Sequence, residues 1–262
     1  MNVTQAIQVA LPQFQSFSVL LVRIAGIISV FPIVNTKTIP APVKAGLVTM
    51  LGLVLAPIVR LPTFPDDPMF LIAGVLSEFL VGLTIGLAVR LLFAGFQVAG
   101  ELVGSEMGFS VIQLLDPTTQ QNTPLISQFQ MTLGSLVFLS INAHVLVVHA
   151  IGLSYELVPP FGAHLSDSLA QDIIQLAQNM LGVALKLAAP VFVTLLIVNT
   201  ILSILGRAVS QMNVFALSFP ITISAGLFAM GLALPYTVSL FEREFTTMIE
   251  HMLALMKLLG HG

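Results

Sequence analysis

Residues 69–93 read MFLIAGVLSEFLVGLTIGLAVRLLF, and they decide what kind of protein this is. The only formal charges in the run are Glu78 and Arg90, and no proline interrupts it. As a helix it would reach about 37 Å, more than the roughly 30 Å hydrocarbon core of a bilayer. No alternation of period two supports a strand. The run therefore predicts a membrane helix. It also carries Gly82 and Gly86 as G-x-x-x-G, a spacing that lets a second helix backbone come close.

Outward from this run, residues 14–34, 43–59, 131–153, 187–205 and 214–241 have the same character. The expected fold is all-α, a polytopic helical membrane protein with about six long apolar helices arranged as hairpins. Composition agrees, because hydrophobic residues make up 56% of the 262 positions and charged residues 8%. A soluble domain carries roughly 25% charged residues. So few charges cannot dress a water-facing surface, and most of the exterior must meet lipid or other protein. The net charge of −3 and the lack of a basic block argue against nucleic acid as a partner. Cysteine is absent, which excludes disulfides and thiol chemistry. The first residues, MNVTQAIQVALPQFQSF, have no basic n-region and read as a retained lead-in instead of a signal peptide.

Short loops set the expected orientation. Lys37 and Lys44 lie in one connection and Arg207 in another, whereas the 154–172 connection carries acids and no basic residue. With six alternating spans, the positive-inside rule puts the Lys37/Lys44 and Arg207 tips in the cytoplasm. Reaction chemistry is missing. There is no phosphate-binding G-x-x-x-x-G-K-[ST], so no P-loop nucleotide site. GLSYE at 152–156 lacks the closing glycine of a nucleophile elbow. His144 and His149 would sit about 140° apart around a helix, which is not one metal-binding face. Neither an enzyme nor a cofactor is expected.

What remains polar lies inside apolar runs. Arg23, Glu78 and Arg90 would each cost about 2.5–3.5 kcal/mol at a bilayer centre. Such residues pair or line water, so Arg23 and Glu78 read either as a buried ion pair or as part of an ion path. Arg90, near a helix end, can snorkel. Gly100, Gly104 and Gly108 continue the small-residue spacing beside Glu101 and Glu106, as on a helix packed into protein or lining a polar cavity. Just beyond, 104–124 reads GSEMGFSVIQLLDPTTQQNTP, a mixture unlike its lipid-suited neighbours. It is either a connector or a functional loop.

The most specific stretch is 184–236, ALKLAAPVFVTLLIVNTILSILGRAVSQMNVFALSFPITISAGLFAMGLALPY. It resembles the FliR family, a core subunit of the flagellar type III export gate, and as a hairpin it resembles the companion subunit FliQ. The early stretch LLVRIAGIISVFPIVNTKTIPAPVKAGLVTMLGLVLAP resembles the FliR opening and, more loosely, FliP. The resemblance runs through nearly the whole chain and implies a FliP-like part at 1–183 followed by a FliQ-like hairpin and tail at 184–262. It further implies a subunit of a helical hetero-oligomeric pore with FliP-like and FliQ-like partners. The pore would dock FlhB-like and FlhA-like components and pass unfolded exported proteins through the bacterial inner membrane, at the flagellar basal body. Part of the assembly would project toward the periplasm.

Within that frame 106–122 matches the place of a pore plug. Met107, Phe109, Val111, Ile112, Leu114 and Leu115 supply apolar bulk, suited to a constriction that gates by dewetting. Gly104 and Gly108 allow bending. Glu106 opens the segment and Asp116 begins its turn-like end. Arg207 and Gln211, at the hairpin tip, would meet the FlhB-like subunit or else simply mark a cytoplasmic turn. The rival readings are a stand-alone secondary transporter, with a midplane site around Arg23 and Glu78, and the injectisome counterpart of the same subunit. A transporter should purify alone, whereas an export-gate subunit should need its companions.

Overall fold

The computed structural model of the protein describes residues 3–35, 39–57, 59, 68–109, 124–163, 167–208 and 214–260. Among them the regular structure is helical: α1 Val3–Val30, α2 Ala41–Leu55, α3 Pro68–Glu106, α4 Leu125–Ser140, α5 Ala143–Leu157, α6 Asp167–Ala208 and α7 Val214–Gly260. Proline sets two of the starts. Pro40 and Pro124 hold extended backbone immediately before α2 and α4, where a missing N–H costs nothing.

Each of the six apolar runs is largely helical, but among the described residues not every one forms a full-length span. Met69–Glu106, Leu169–Ala208 and Leu217–Gly260 are long and apolar enough to cross a membrane. The 131–153 run is not one straight helix, because α4 ends at Ser140 and α5 starts at Ala143. The cause is Asn142, held left-handed at φ 56°, a conformation that asparagine tolerates better than most residues. Hydropathy averages over one such residue and misses the break. Phe17–Val30 and Ala41–Leu55 are shorter apolar helices. The described spans therefore number three, or four if the bent pair counts as one. The long helices also outrun their apolar segments, because no breaker interrupts the amphipathic stretches at 167–186 and 242–260.

Two compact units form. The first comprises Met1–Leu91, Asn142–Leu176 and Thr246–Gly262, the second Leu92–Ile141 and Ala177–Phe245. In the first, α1 and α3 approach at their backbones. A Cβ on Gly82 would overlap the Arg23 carbonyl, and one on Gly86 would come within 2.8 Å of the Ile27 carbonyl. That close crossing buries Leu20, Ile24, Ile27 and Ile85 completely. The second unit centres on phenylalanines from three helices, Phe93 and Phe96 of α3, Phe138 of α4, and Phe241 and Phe245 of α7. Phe96 and Phe241 have centroids 3.9 Å apart, and Phe138 meets Phe245 edge-on at 5.3 Å.

Prolines inside α6 and α7 do not end those helices. Pro190 denies the Lys186 carbonyl its usual donor, and the Tyr236 hydroxyl of α7 donates to that carbonyl at 3.3 Å. Only 22% of an 18-residue apolar window of α7 is buried within the chain, with Phe228 and Leu232 both 70% exposed. That surface is built for lipid or for neighbouring subunits.

Candidate functional site

Arg23 and Glu78 meet in the first unit, both fully buried. Arg23 Nε donates to Glu78 Oε2 at 2.7 Å and Nη2 donates to Oε1 at 3.0 Å, the bidentate fork that suits a carboxylate. The rest of the guanidinium caps α5. Nη1 donates to the Ser154 carbonyl at 2.8 Å and its hydroxyl at 3.2 Å, and Nη2 donates to the Val158 carbonyl at 3.0 Å. Carbonyls at a helix C-terminus carry the negative end of the dipole, so a cation there is doubly favoured. The Tyr155 ring lies under the guanidinium carbon at 4.1 Å and its hydroxyl donates to the Leu20 carbonyl at 3.0 Å. Glu78 Oε1 also accepts the Phe161 backbone N–H at 3.1 Å, holding a turn in which Phe161 has φ 64°.

Arg23 has five N–H donors, and acceptors on Glu78, Ser154 and Val158 surround all of its nitrogens. Nothing is left over for a substrate or a passing ion. The arrangement does the chemistry of a clamp, tying α1, α3 and α5 together. The two charges stand out in the sequence, but Ser154, Tyr155, Val158 and Phe161 do not stand out as their partners. Three of these contacts use backbone atoms, which leave no signature in residue identity.

The second constellation lies where α3 ends at Glu106 and the described chain resumes at Pro124. Gly108, at φ 91°, ends α3 in a conformation that glycine adopts freely. Beyond it the chain returns at Pro124 against the same end of α3. A Cβ on Gly100 would come within 2.5 Å of the Ser127 Cα, and one on Gly104 would lie 3.6 Å from Ile126. Ser127 Oγ donates to the Gln97 carbonyl at 3.1 Å. The glycine stripe thus packs α4 onto α3 and brings Pro124 against the C-terminal part of α3. Glu101 accepts from Gln97 Nε2 at 2.9 Å on its own helix. Met107 is fully buried and Phe109 half-buried, while Val111, Ile112, Leu114, Leu115 and Asp116 lie outside the described residues.

Other candidates are placed apart. Arg207 is exposed in the last turn of α6, and Gln211 and Lys37 lie outside the described residues. Arg90 is exposed, as are His144 and His149. Among the described residues no group of three His, Cys, Asp or Glu could hold a metal ion. A recess of about 560 Å³ between α4 and α7 is lined chiefly by Leu125, Phe129, Leu227, Met230 and Leu234, which suits apolar contact instead of reaction chemistry.

Long apolar helices, a closed charge clamp and a glycine-packed helix pair describe a polytopic helical membrane protein. Residues 14–248 match the family model of bacterial export proteins, family 1, and the chain belongs to that family, the FliR family. It is 32% identical to the flagellar biosynthetic protein FliR of Pectobacterium carotovorum subsp. carotovorum, over 87% of this chain and 88% of that one. The FliR proteins of Bacillus subtilis (strain 168) and Escherichia coli (strain K12) are 29% and 27% identical, over 94% and 86% of this chain and 96% and 87% of theirs.

Proposed function

We propose that this protein is a non-catalytic core subunit of the flagellar type III protein export gate in the bacterial inner membrane. It helps form and seal the conduit through which unfolded flagellar proteins pass, with residues 106–122 as the plug. Its partners on this reading are FliP-like and FliQ-like subunits in the pore and FlhB-like and FlhA-like components at the entrance, where Arg207 and Gln211 make contact.

The observation that carries the reading is the placement of the described residues on either side of 110–123. Gly108 turns the chain out of α3, and the stripe of Gly100 and Gly104 brings it back against the same helix end. A seal must stay attached to its frame, and the described residues that flank 110–123 sit against one end of the α3–α4 pair, which meets that need. The large exposed apolar faces of α6 and α7 support a place among neighbouring subunits.

Ion leakage in cells carrying the assembled gate tests the proposal, comparing the parent with a deletion of Phe109–Gln113. Leakage in the deletion alone, with the complex still assembled, is the expected result. A tight membrane around an intact deletion complex would make the segment a connector and put the seal elsewhere.

A further inference from the structure

The recess between α4 and α7 has a wall that the chain itself does not cover. Gly231 of α7 lies on that wall, and a Cβ added there would meet nothing within 4 Å. Glycine inside a helix costs stability relative to alanine. Elsewhere in the same unit a glycine offsets that cost by receiving a neighbour, as Gly100 receives Ser127 of α4 and Gly134 receives the Phe96 ring of α3. Among the described residues nothing takes up the room at Gly231.

Gly231 also carries an open acceptor. Residue 235 is proline, so it has no N–H to give the Gly231 carbonyl one turn back. Among the described residues no side chain donates to that carbonyl. The same difficulty arises at Pro190, where the Tyr236 hydroxyl answers the Lys186 carbonyl at 3.3 Å from the facing helix. An unpaired carbonyl is costly in lipid, and neighbouring helices supply the donors that a membrane proline removes. The chain applies that remedy to Lys186 and leaves Gly231 to an outside donor.

The chemistry of the recess selects the occupant. Its lining is leucine, isoleucine, phenylalanine and methionine apart from Gln128 and Thr132, and the Thr132 hydroxyl is already given to the Gln128 carbonyl at 2.8 Å. Neither α4 nor the 214–241 run bears a charge, so no ionic ligand is matched. A buried water needs about two to four polar partners, which this wall does not offer. A lipid tail suits the lining but has no donor for the carbonyl. An extended polypeptide would bring its own unpaired N–H and C=O groups into an apolar place. A helix keeps its backbone bonded, comes close where glycine opens the surface, and can carry a hydroxyl on serine, threonine or tyrosine. The 560 Å³ accepts several of its apolar side chains.

We infer that this recess is the seat of an apolar helix from a neighbouring subunit, which sets a hydroxyl-bearing side chain on the Gly231 carbonyl. The seat rests on the reading of this chain as a subunit of a membrane complex and is independent of the plug. The test uses the full chain in its purified, assembled complex, with Leu227 replaced by photoreactive benzoylphenylalanine. Leu227 lines the recess and is 54% exposed. Irradiation is expected to join it to a companion subunit at a helical turn that contains Ser, Thr or Tyr. Gly231→Leu fills the wall and should lower the adduct about tenfold or more. Gly182→Leu, at an equally open glycine of α6 outside the recess, should leave it at the parent level. Removing the mapped hydroxyl by Ser→Ala, Thr→Val or Tyr→Phe should speed loss of the companion on dilution in detergent about fivefold. With Pro235→Ala that removal should change nothing further, because residue 235 then supplies the N–H itself. This comparison decides the matter even if Gly231→Leu does not assemble.

Adducts with phospholipid alone in an intact complex overturn the seat and give the recess to lipid tails. So does an adduct at a segment without a hydroxyl, an adduct undiminished by Gly231→Leu, or a hydroxyl effect undiminished by Pro235→Ala. A chain that purifies without any companion overturns the subunit reading itself, whereas an intact complex that fails only these tests leaves that reading standing.

Discussion

Replacing Arg23 and Glu78 by methionine, singly and together, should reveal strong coupling between them. Either single change leaves a charge buried in a site with no access to water, since both side chains are 0% exposed. Breaking a buried pair in this way costs about 3–5 kcal/mol, so the two singles together lose about 6–10 kcal/mol. The double variant strands no charge. The Ser154 carbonyl keeps its helical donor from the Val158 N–H, so the lost bonds that matter are those to the Val158 carbonyl and the Phe161 N–H. At about 1–3 kcal/mol each, the double should cost about 2–6 kcal/mol, less than the sum of the singles by about 4 kcal/mol. An Ala150→Cys reporter, buried in α5 at 1% exposure, gives the assay. Its thiol labelling is followed through an SDS titration of the protein in its detergent-solubilised complex. The pair Lys186–Glu244 serves as contrast, since Lys186 is 59% exposed and its 3.5 Å contact should couple by less than about 1 kcal/mol. Additivity within about 0.5 kcal/mol at Arg23 and Glu78 would refute the clamp.

Two further outcomes follow from the backbone contacts in the second unit. Gly100→Ala should destabilise by about 1–3 kcal/mol through overpacking, because its Cβ would press on the Ser127 backbone, while Gly104→Ala meets only ordinary contact at 3.6 Å. The latter should be neutral or gain up to about 1 kcal/mol of helix propensity, and equal losses in thermal midpoint would contradict the stripe as described. Tyr236→Phe should cost about 1 kcal/mol and lose that effect in a Pro190→Ala background, where residue 190 regains the N–H that serves the Lys186 carbonyl. A cost undiminished by Pro190→Ala would show that the hydroxyl acts in some other way.

The helical membrane character was legible in the sequence because it depends on bulk quantities. Apolar length and scarcity of charge survive averaging, and a buried polar backbone in lipid leaves the helix as the main solution. The identity of Arg23 and Glu78 as special residues was legible for the same reason, since an isolated charge in an apolar run stands out. The number of spans was not. A run such as 131–153 looks continuous to hydropathy, yet its helix breaks at one asparagine held at φ 56°. Nor was the use of the glycines, because G-x-x-x-G says that something packs close but not what. Gly82 receives α1, while Gly100 receives α4.

Asn199 and Thr222 show where the boundary lies. Each is a lone polar residue in an apolar run, so the sequence could mark it as partnered, but its partner is a helix end many residues away. Local pattern determined that this chain makes long apolar helices, where glycine lets them approach and which charges must be neutralised. Only the tertiary structure decided which helix ends meet, because that choice rests on backbone carbonyls left open at helix termini, and every residue type has the same carbonyl.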